Sequence, residues 1–114
     1  MTPAQNALID RVRELLAGES MLREVSMFGG RAFMVDEKMI VSALKDGGLL
    51  VRVPTGRHDE FLGEPGAAQA EMGAGRTMGP GWVDVAEEAI RGEKCLAYWV
   101  GVAMDHNRVV HGKS

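Results

Sequence analysis

Residues 21–53 read MLREVSMFGGRAFMVDEKMIVSALKDGGLLVRV, and this stretch decides the fold. From Met21 the hydrophobic period moves toward two, so Leu22 to Phe28 reads as a strand. Gly29-Gly30 breaks or bends it. Ala32 to Val35 is a second short strand, Asp36-Glu37-Lys38 a polar turn, and Met39 to Leu44 a third strand. Lys45-Asp46-Gly47-Gly48 has loop chemistry. Leu49 to Val53 is a fourth strand, closed by Pro54. Parallel neighbours need long crossovers, and these loops are too short for one, so the strands form an antiparallel meander.

Upstream, Thr2-Pro3-Ala4-Gln5 has a hydroxyl at the N-cap, proline at the first helical position and glutamine where a capping box wants it. Leu8, Val12, Leu15 and Leu16 follow as one apolar stripe, widened by Ile9, and Gly18 is a helix stop. Downstream, Thr55 is placed to cap a short helix through His58 to Leu62, ended by Gly63 and Pro65. Gln69 to Met72 reads as a strand. Trp82 to Val85 is a better one, because tryptophan and valine suit a pleated surface. Ala86 to Ile90 allows one or two helical turns. Leu96, Trp99, Val100 and Ala103 space as the apolar face of a final helix from about Glu93. The whole pattern is α+β: two layers, an antiparallel sheet of five to six strands with helices packed on one face. Residues 1–105 are expected to form a single domain, and 106–114 a flexible C-terminal tail.

Length and composition set the outer bounds. The chain has 114 residues, 46% hydrophobic and 25% charged, the make-up of one ordinary globular domain. No run approaches the ~18 apolar residues of a membrane span, and no signal peptide is visible. A single cysteine excludes an internal disulfide. The expectation is a cytoplasmic protein. The net charge is −3, and no cluster of Lys or Arg appears, so direct nucleic-acid binding is disfavoured.

The run Met27-Phe28-Gly29-Gly30, followed by Phe33, Lys38-Met39 and the apolar strand carrying Arg52, resembles the N-terminal domain of the TfoX/Sxy family. Phe61, Gly75-Arg76 with Met78, Trp82-Val83 with Val85, and Leu96 with Trp99-Val100 extend the match in order over about residues 10–105. The family is named for a bacterial regulator of natural competence. The resemblance implies a two-layer α+β domain and carries over no enzymatic residue. It also implies a stand-alone N-terminal domain, because the C-terminal helical domain of the full-length regulators has no counterpart before Ser114. Two positions depart from the family pattern. Glu37 stands where a turn glycine is common, and Gly79-Pro80-Gly81 replaces a tighter, usually lysine-containing approach to the tryptophan strand.

Several motifs carry a functional reading beside a structural one. Gly29-Gly30-Arg31 offers free N–H groups next to a guanidinium, which suits an anion; glycine's freedom at positive φ between two strands accounts for the same pair. Arg52 and Arg76 join Arg31 as candidate anion contacts if the fold brings them together. Gly73 to Gly79 fails the spacing of a dinucleotide loop. Cys95, beside Leu96, reads as a small buried hydrophobe rather than a nucleophile. His58-Asp59-Glu60 does not converge on a helix and reads as a solvated helix start; His106 and His111 are poorly spaced for one metal. Met27, Met34, Met39, Met72 and Met78 read as core fillers, with an adhesive sheet face as the other option. Trp82 and Trp99 read as anchors of the helix–sheet core.

These observations leave no catalytic residues, metal ligands or cofactor to name. The leading expectation is a non-enzymatic regulatory or protein-interaction domain. It would dock a protein partner, or a second copy as a homodimer, through a strand edge or an uncovered sheet face. The alternative is a small-ligand or anion-binding module using Gly29, Gly30, Arg31, Arg52 and Arg76.

Overall fold

The computed structural model describes residues 2–19, 21–27, 30–73, 76–77, 79 and 81–112, without the side chains of 27, 71–73, 76–77 and 109–112. Helix α1 (Pro3–Leu15) leads into β1 (Leu22–Met27), β2 (Gly30–Val35), β3 (Lys38–Ala43) and β4 (Leu49–Arg52). A 3-10 turn (Thr55–Arg57) and the short α2 (His58–Leu62) follow. Then come β5 (Ala67–Gln69), β6 (Glu71–Gly73), β7 (Arg76–Thr77) and β8 (Trp82–Val85). A second 3-10 turn (Glu87–Ile90) precedes α3 (Glu93–Gly112). The main sheet has six strands in the order β1-β2-β3-β4-β8-β5, with every neighbouring pair antiparallel; β6 and β7 form a separate hairpin. The expected α+β meander is therefore the observed one.

Strand register builds the core. Phe33 lies opposite Val41, Val41 opposite Val51, and Val51 opposite Val83, so one apolar row crosses four strands. Leu8, Ile9, Val12 and Leu16 of the first helical stripe close over it, as do Leu96, Trp99, Val100 and Ala103 of α3. Each such side chain contributes about 1.5–3 kcal/mol by leaving water. Between β2 and β3 the register shifts by one residue at Phe33/Met34. This bulge lets both Ile40 and Val41 enter the core, which strict alternation forbids.

The β2–β3 turn is Asp36-Glu37, both left-handed at φ 53° and 66°, closed by the pair Val35–Lys38. Two left-handed residues match the twist of the flanking strands, and glycine is the favoured occupant of the second. Glu37 fills that position, and its carboxylate accepts from the Arg23 guanidinium on neighbouring β1.

Local readings are corrected at several points. Thr2 caps α1, accepting from the Gln5 amide N–H at 3.1 Å. The Gln5 side chain, however, donates to the carbonyl of Ala43 at 2.9 Å and is only 1% exposed. The capping-box glutamine thus pins α1 to β3. The helix stops at Leu15 rather than Gly18, since Leu16 turns inward to finish the stripe. Thr55 makes no side-chain cap. The strand expected at Gln69 to Met72 is split at buried Ala70 between β5 and β6. The expected tail from His106 continues α3 through Gly112. Met104 and Asn107 prolong its inward face, and Asn107, 3% exposed, donates to the Val35 carbonyl at 3.4 Å. A polar residue inside an apolar stripe hid this turn from a hydrophobicity reading.

Candidate functional site

Arg31 and Arg52 do not share one surface. Arg31 lies opposite Ala43, whose next neighbour is the core residue Leu49. Arg52 is three residues beyond Leu49, out of phase with it, and opposite Trp82 at the other end of β4. Alternation along a strand therefore separates Arg31 and Arg52 both in face and along the sheet. The Arg76 side chain and Gly29 lie outside the described residues.

Arg31 belongs instead to a structural ion cluster. Glu24 of β1 takes two contacts of 2.8 Å from Nε and Nη2 of Arg13 on α1. Arg31 Nη1 approaches the same carboxylate at 3.5 Å, and Asp10 lies 3.4 Å from Arg13. The Arg13 hydrogen bonds and charge hold the Glu24 carboxyl below the usual carboxylate range, with Arg31 adding to the effect. Two cations and two anions meet here, and Arg31 Nε is buried without a hydrogen-bond partner among the described residues. Gly30 is not at positive φ. Its role is close approach: a Cβ would stand 2.8 Å from both the Ala43 carbonyl and the Ser42 hydroxyl. For Gly30 the positive-φ explanation is replaced by a steric one, while Gly29 lies outside the described residues.

His58 has a stronger role than the sequence suggested. It is not solvated but 6% exposed. Its Nδ1 accepts from the Gly81 amide N–H at 3.0 Å, and its Nε2 lies 2.8 Å from Gln69 Oε1. The Gln69 amide nitrogen donates to the carbonyls of Ala70 and Gly79 at 3.3 and 3.1 Å. Because that nitrogen is committed to carbonyls, Oε1 must face the imidazole, and the hydrogen sits on Nε2. One side chain thus ties α2 to β5 and to the segment leading into β8. Nothing local signals this, since the partners lie 11 and 23 residues away.

Cys95 is exposed near the start of α3, contrary to the buried reading. Among the described residues no three His, Cys, Asp or Glu side chains group as metal ligands. No helix of the described residues is long and apolar enough to cross a membrane.

A cleft of about 500 Å³ opens between the Pro54–Arg57 turn and one face of α3, lined by Thr55, Arg57, Phe61, Tyr98, Val102 and His106 among others. Arg57 stands 4.7 Å over the Phe61 ring and pairs with Glu60. Phe61 rests on Trp99, ring centres 5.9 Å apart. Sequence reading missed this place because His106 was assigned to the tail.

The sheet face turned away from the helices carries Val25, Met34, Met39 and Trp82, all half-buried. Met34 and Met39 are cross-strand partners on it, not members of the core. Trp82 shares that side with Arg52, whereas Trp99 is the core anchor expected. Beside this face, β1 is a free edge among the described residues: six residues long, with β2 as its one described neighbour in the sheet. The opposite edge, β5, is three residues long.

No curated protein matches the sequence. The family model described as the TfoX N-terminal domain matches residues 14–107, which span β1 to β8 and most of α3. The chain belongs to the TfoX N-terminal domain family, as the Met-Phe-Gly-Gly and tryptophan-strand motifs implied.

Proposed function

We propose that this chain is a regulatory domain that acts by binding and not by catalysis, and that it pairs with a second copy of itself along β1. The family supports a regulatory, competence-related role at the level of the domain. The observation that carries the pairing is the free edge of β1, whose backbone groups are a template for another strand. Homodimers commonly use such a surface about a twofold axis.

The charges choose the register. An axis through Glu24 would set two carboxylates face to face, which is unfavourable. An axis through Val25 places Glu24 opposite Ser26 and Arg23 opposite Met27, with no like charges directly opposed. It also keeps both helix layers on one side and joins the Val25, Met34 and Met39 surfaces of the two copies on the other.

Cysteine cross-linking tests this. Directly opposed residues of an antiparallel pair lie about 4.5–5.5 Å apart at Cα, within disulfide reach. In a Cys95→Ser background, Val25→Cys is expected to form a disulfide-linked dimer on mild oxidation, whereas Tyr98→Cys on α3 is not. A Val25→Cys thiol that reacts freely with a small reagent yet yields no dimer refutes the pairing.

A further inference from the structure

We propose that the paired edge carries a composite ion site, formed twice in the dimer, in which Arg31 of one copy holds the Glu24 carboxylate of the other. The inference rests on the β1 pairing proposed above and adds what makes that pairing selective.

Register supplies the geometry. Ser26 lies opposite Arg31, and Glu24 lies opposite the core residue Phe33, so Arg31, Ser26 and Glu24 all face the helices. With the axis through Val25, Ser26 meets the partner's Glu24. One row then runs from Arg31 over Ser26 to the partner's Glu24, and its image runs the other way. Arg31 and the partner's Glu24 stand two strand spacings apart, about 10 Å at the backbone. The serine between them is small and exposed, so an extended arginine and a glutamate meet above it.

The cluster within one copy leaves room for this contact. Arg13 is fully engaged: Nε and Nη2 hold Glu24 at 2.8 Å, and Nη1 lies 3.4 Å from Asp10. Arg31 is not. Its one hydrogen bond runs from Nη1 to Glu24 at 3.5 Å, at the outer limit for such a bond. Its Nε and Nη2 have no partner among the described residues. A carboxylate accepts about four hydrogen bonds, and Arg13 supplies two of those reaching Glu24. One copy thus holds a spare donor and a spare acceptor that are poorly aligned with each other. The Arg31 and Glu24 side chains are 27% and 21% exposed, open on one side and otherwise withdrawn from water.

Charge makes the contact necessary. Pairing about Val25 turns Glu24 and its own image into diagonal neighbours, about 7–8 Å apart. The Arg13 bonds hold the Glu24 carboxyl below the usual range, so both carboxylates are ionised at neutral pH. Two such charges oppose pairing unless a further cation stands beside each. Arg23, the cation on β1 itself, points to the other face of the sheet and is held by Glu37. Arg31 is the cation on the right face.

The test uses the full chain with Cys95→Ser and Val25→Cys, in which disulfide-linked dimer reports the pairing itself. Glu24→Gln and Arg31→Gln are made separately in that background, and circular dichroism checks folding. Either variant alone loses both charged contacts. A mixed dimer regains one, between Arg31 of the first and Glu24 of the second. One variant is isotope-labelled, the mixture is equilibrated in a glutathione redox buffer, and the dimers are sorted by mass. The mixed dimer should exceed random mixing by about threefold or more. Asp10→Asn in place of Glu24→Gln makes the same charge change on α1 without touching the contact, and should mix nearly at random with Arg31→Gln. Random mixing of the Glu24→Gln and Arg31→Gln chains, or an equal excess with Asp10→Asn, overturns the inference while the linked dimer still upholds the pairing. Failure of Val25→Cys to dimerise overturns both. A second measurement leaves the cluster unaltered and so covers a Glu24→Gln chain that does not fold. In the parent chain the Arg31 Nε–H resonance should shift with the midpoint of dimerisation found by sedimentation, whereas that of Arg11, bound to Glu93, should not. An Arg31 signal unmoved through that transition overturns the inference.

Discussion

Replacing His58 tests whether a single imidazole organises the approach to β8. His58→Ala orphans the buried Gly81 N–H and deprives Gln69 Oε1 of its donor. Leaving one buried polar group unpaired costs about 1–3 kcal/mol, and the vacated ring volume adds to this. The expected loss is thus about 3–5 kcal/mol, from a total of about 6–17 kcal/mol for a domain of 114 residues. Two partial replacements separate the contacts. In His58→Asn, Oδ1 takes the place of Nδ1 and keeps the Gly81 bond. In His58→Gln, the amide nitrogen reaches the place of Nε2 and keeps the Gln69 bond. Gly81 is buried and Gln69 only half-buried, so the asparagine variant should be the least harmed, by about 1–2 kcal/mol, then glutamine, then alanine. Urea unfolding followed by the fluorescence of buried Trp99 measures the series, and native-state hydrogen exchange at the Gly81 amide should accelerate only where its acceptor is lost. An alanine variant within about 0.5 kcal/mol of the parent, or a glutamine variant milder than asparagine, would refute the reasoning.

Other perturbations follow from the same structure. Glu37→Gly relieves a left-handed side chain at φ 66° at the cost of an exposed ion pair with Arg23, and should raise stability by about 0.5–1 kcal/mol in urea titration. Gly30→Ala drives a methyl to 2.8 Å from the Ala43 carbonyl and should destabilise by about 1–3 kcal/mol. Because His106 titrates below its unfolded value, its contribution is complete above pH 6.5 and declines as pH falls through the window down to its folded value. Urea midpoints measured from pH 7.5 to pH 5 should therefore show a slope just below pH 6.5 that His106→Gln reduces.

What the sequence revealed was set by local periodicity. The meander from Leu22 to Val53 and the strand at Trp82 to Val85 were legible because alternation and turn chemistry act over a few residues. Leu96, Trp99, Val100 and Ala103 likewise announced their helix. The readings that failed needed information from across the fold. Gln5 looks like a capping residue until β3 is beside it. Asn107 breaks an apolar stripe yet is buried, because the Val35 carbonyl is there to receive it. Met34, Met39 and Trp82 have the chemistry of core residues, and only register shows that they lie on the face away from the helices. Arg31 and Arg52 were legible as candidate anion contacts, but their separation depends on alternation across the two pairings that join β2 to β4. The cleft around His106 and Arg57 joins a turn to a helix about fifty residues later, a distance no motif bridges.

The strand-edge account meets its most direct test in sedimentation of the full chain over a wide concentration range, in parallel with Val25→Lys, which sets a lysine against its own image at the centre of the shared edge. The account predicts a reversible monomer–dimer equilibrium that the substitution shifts to monomer without loss of folded signal. A parent chain that remains monomeric at the highest concentration, or a dimer untouched by the lysine, contradicts it.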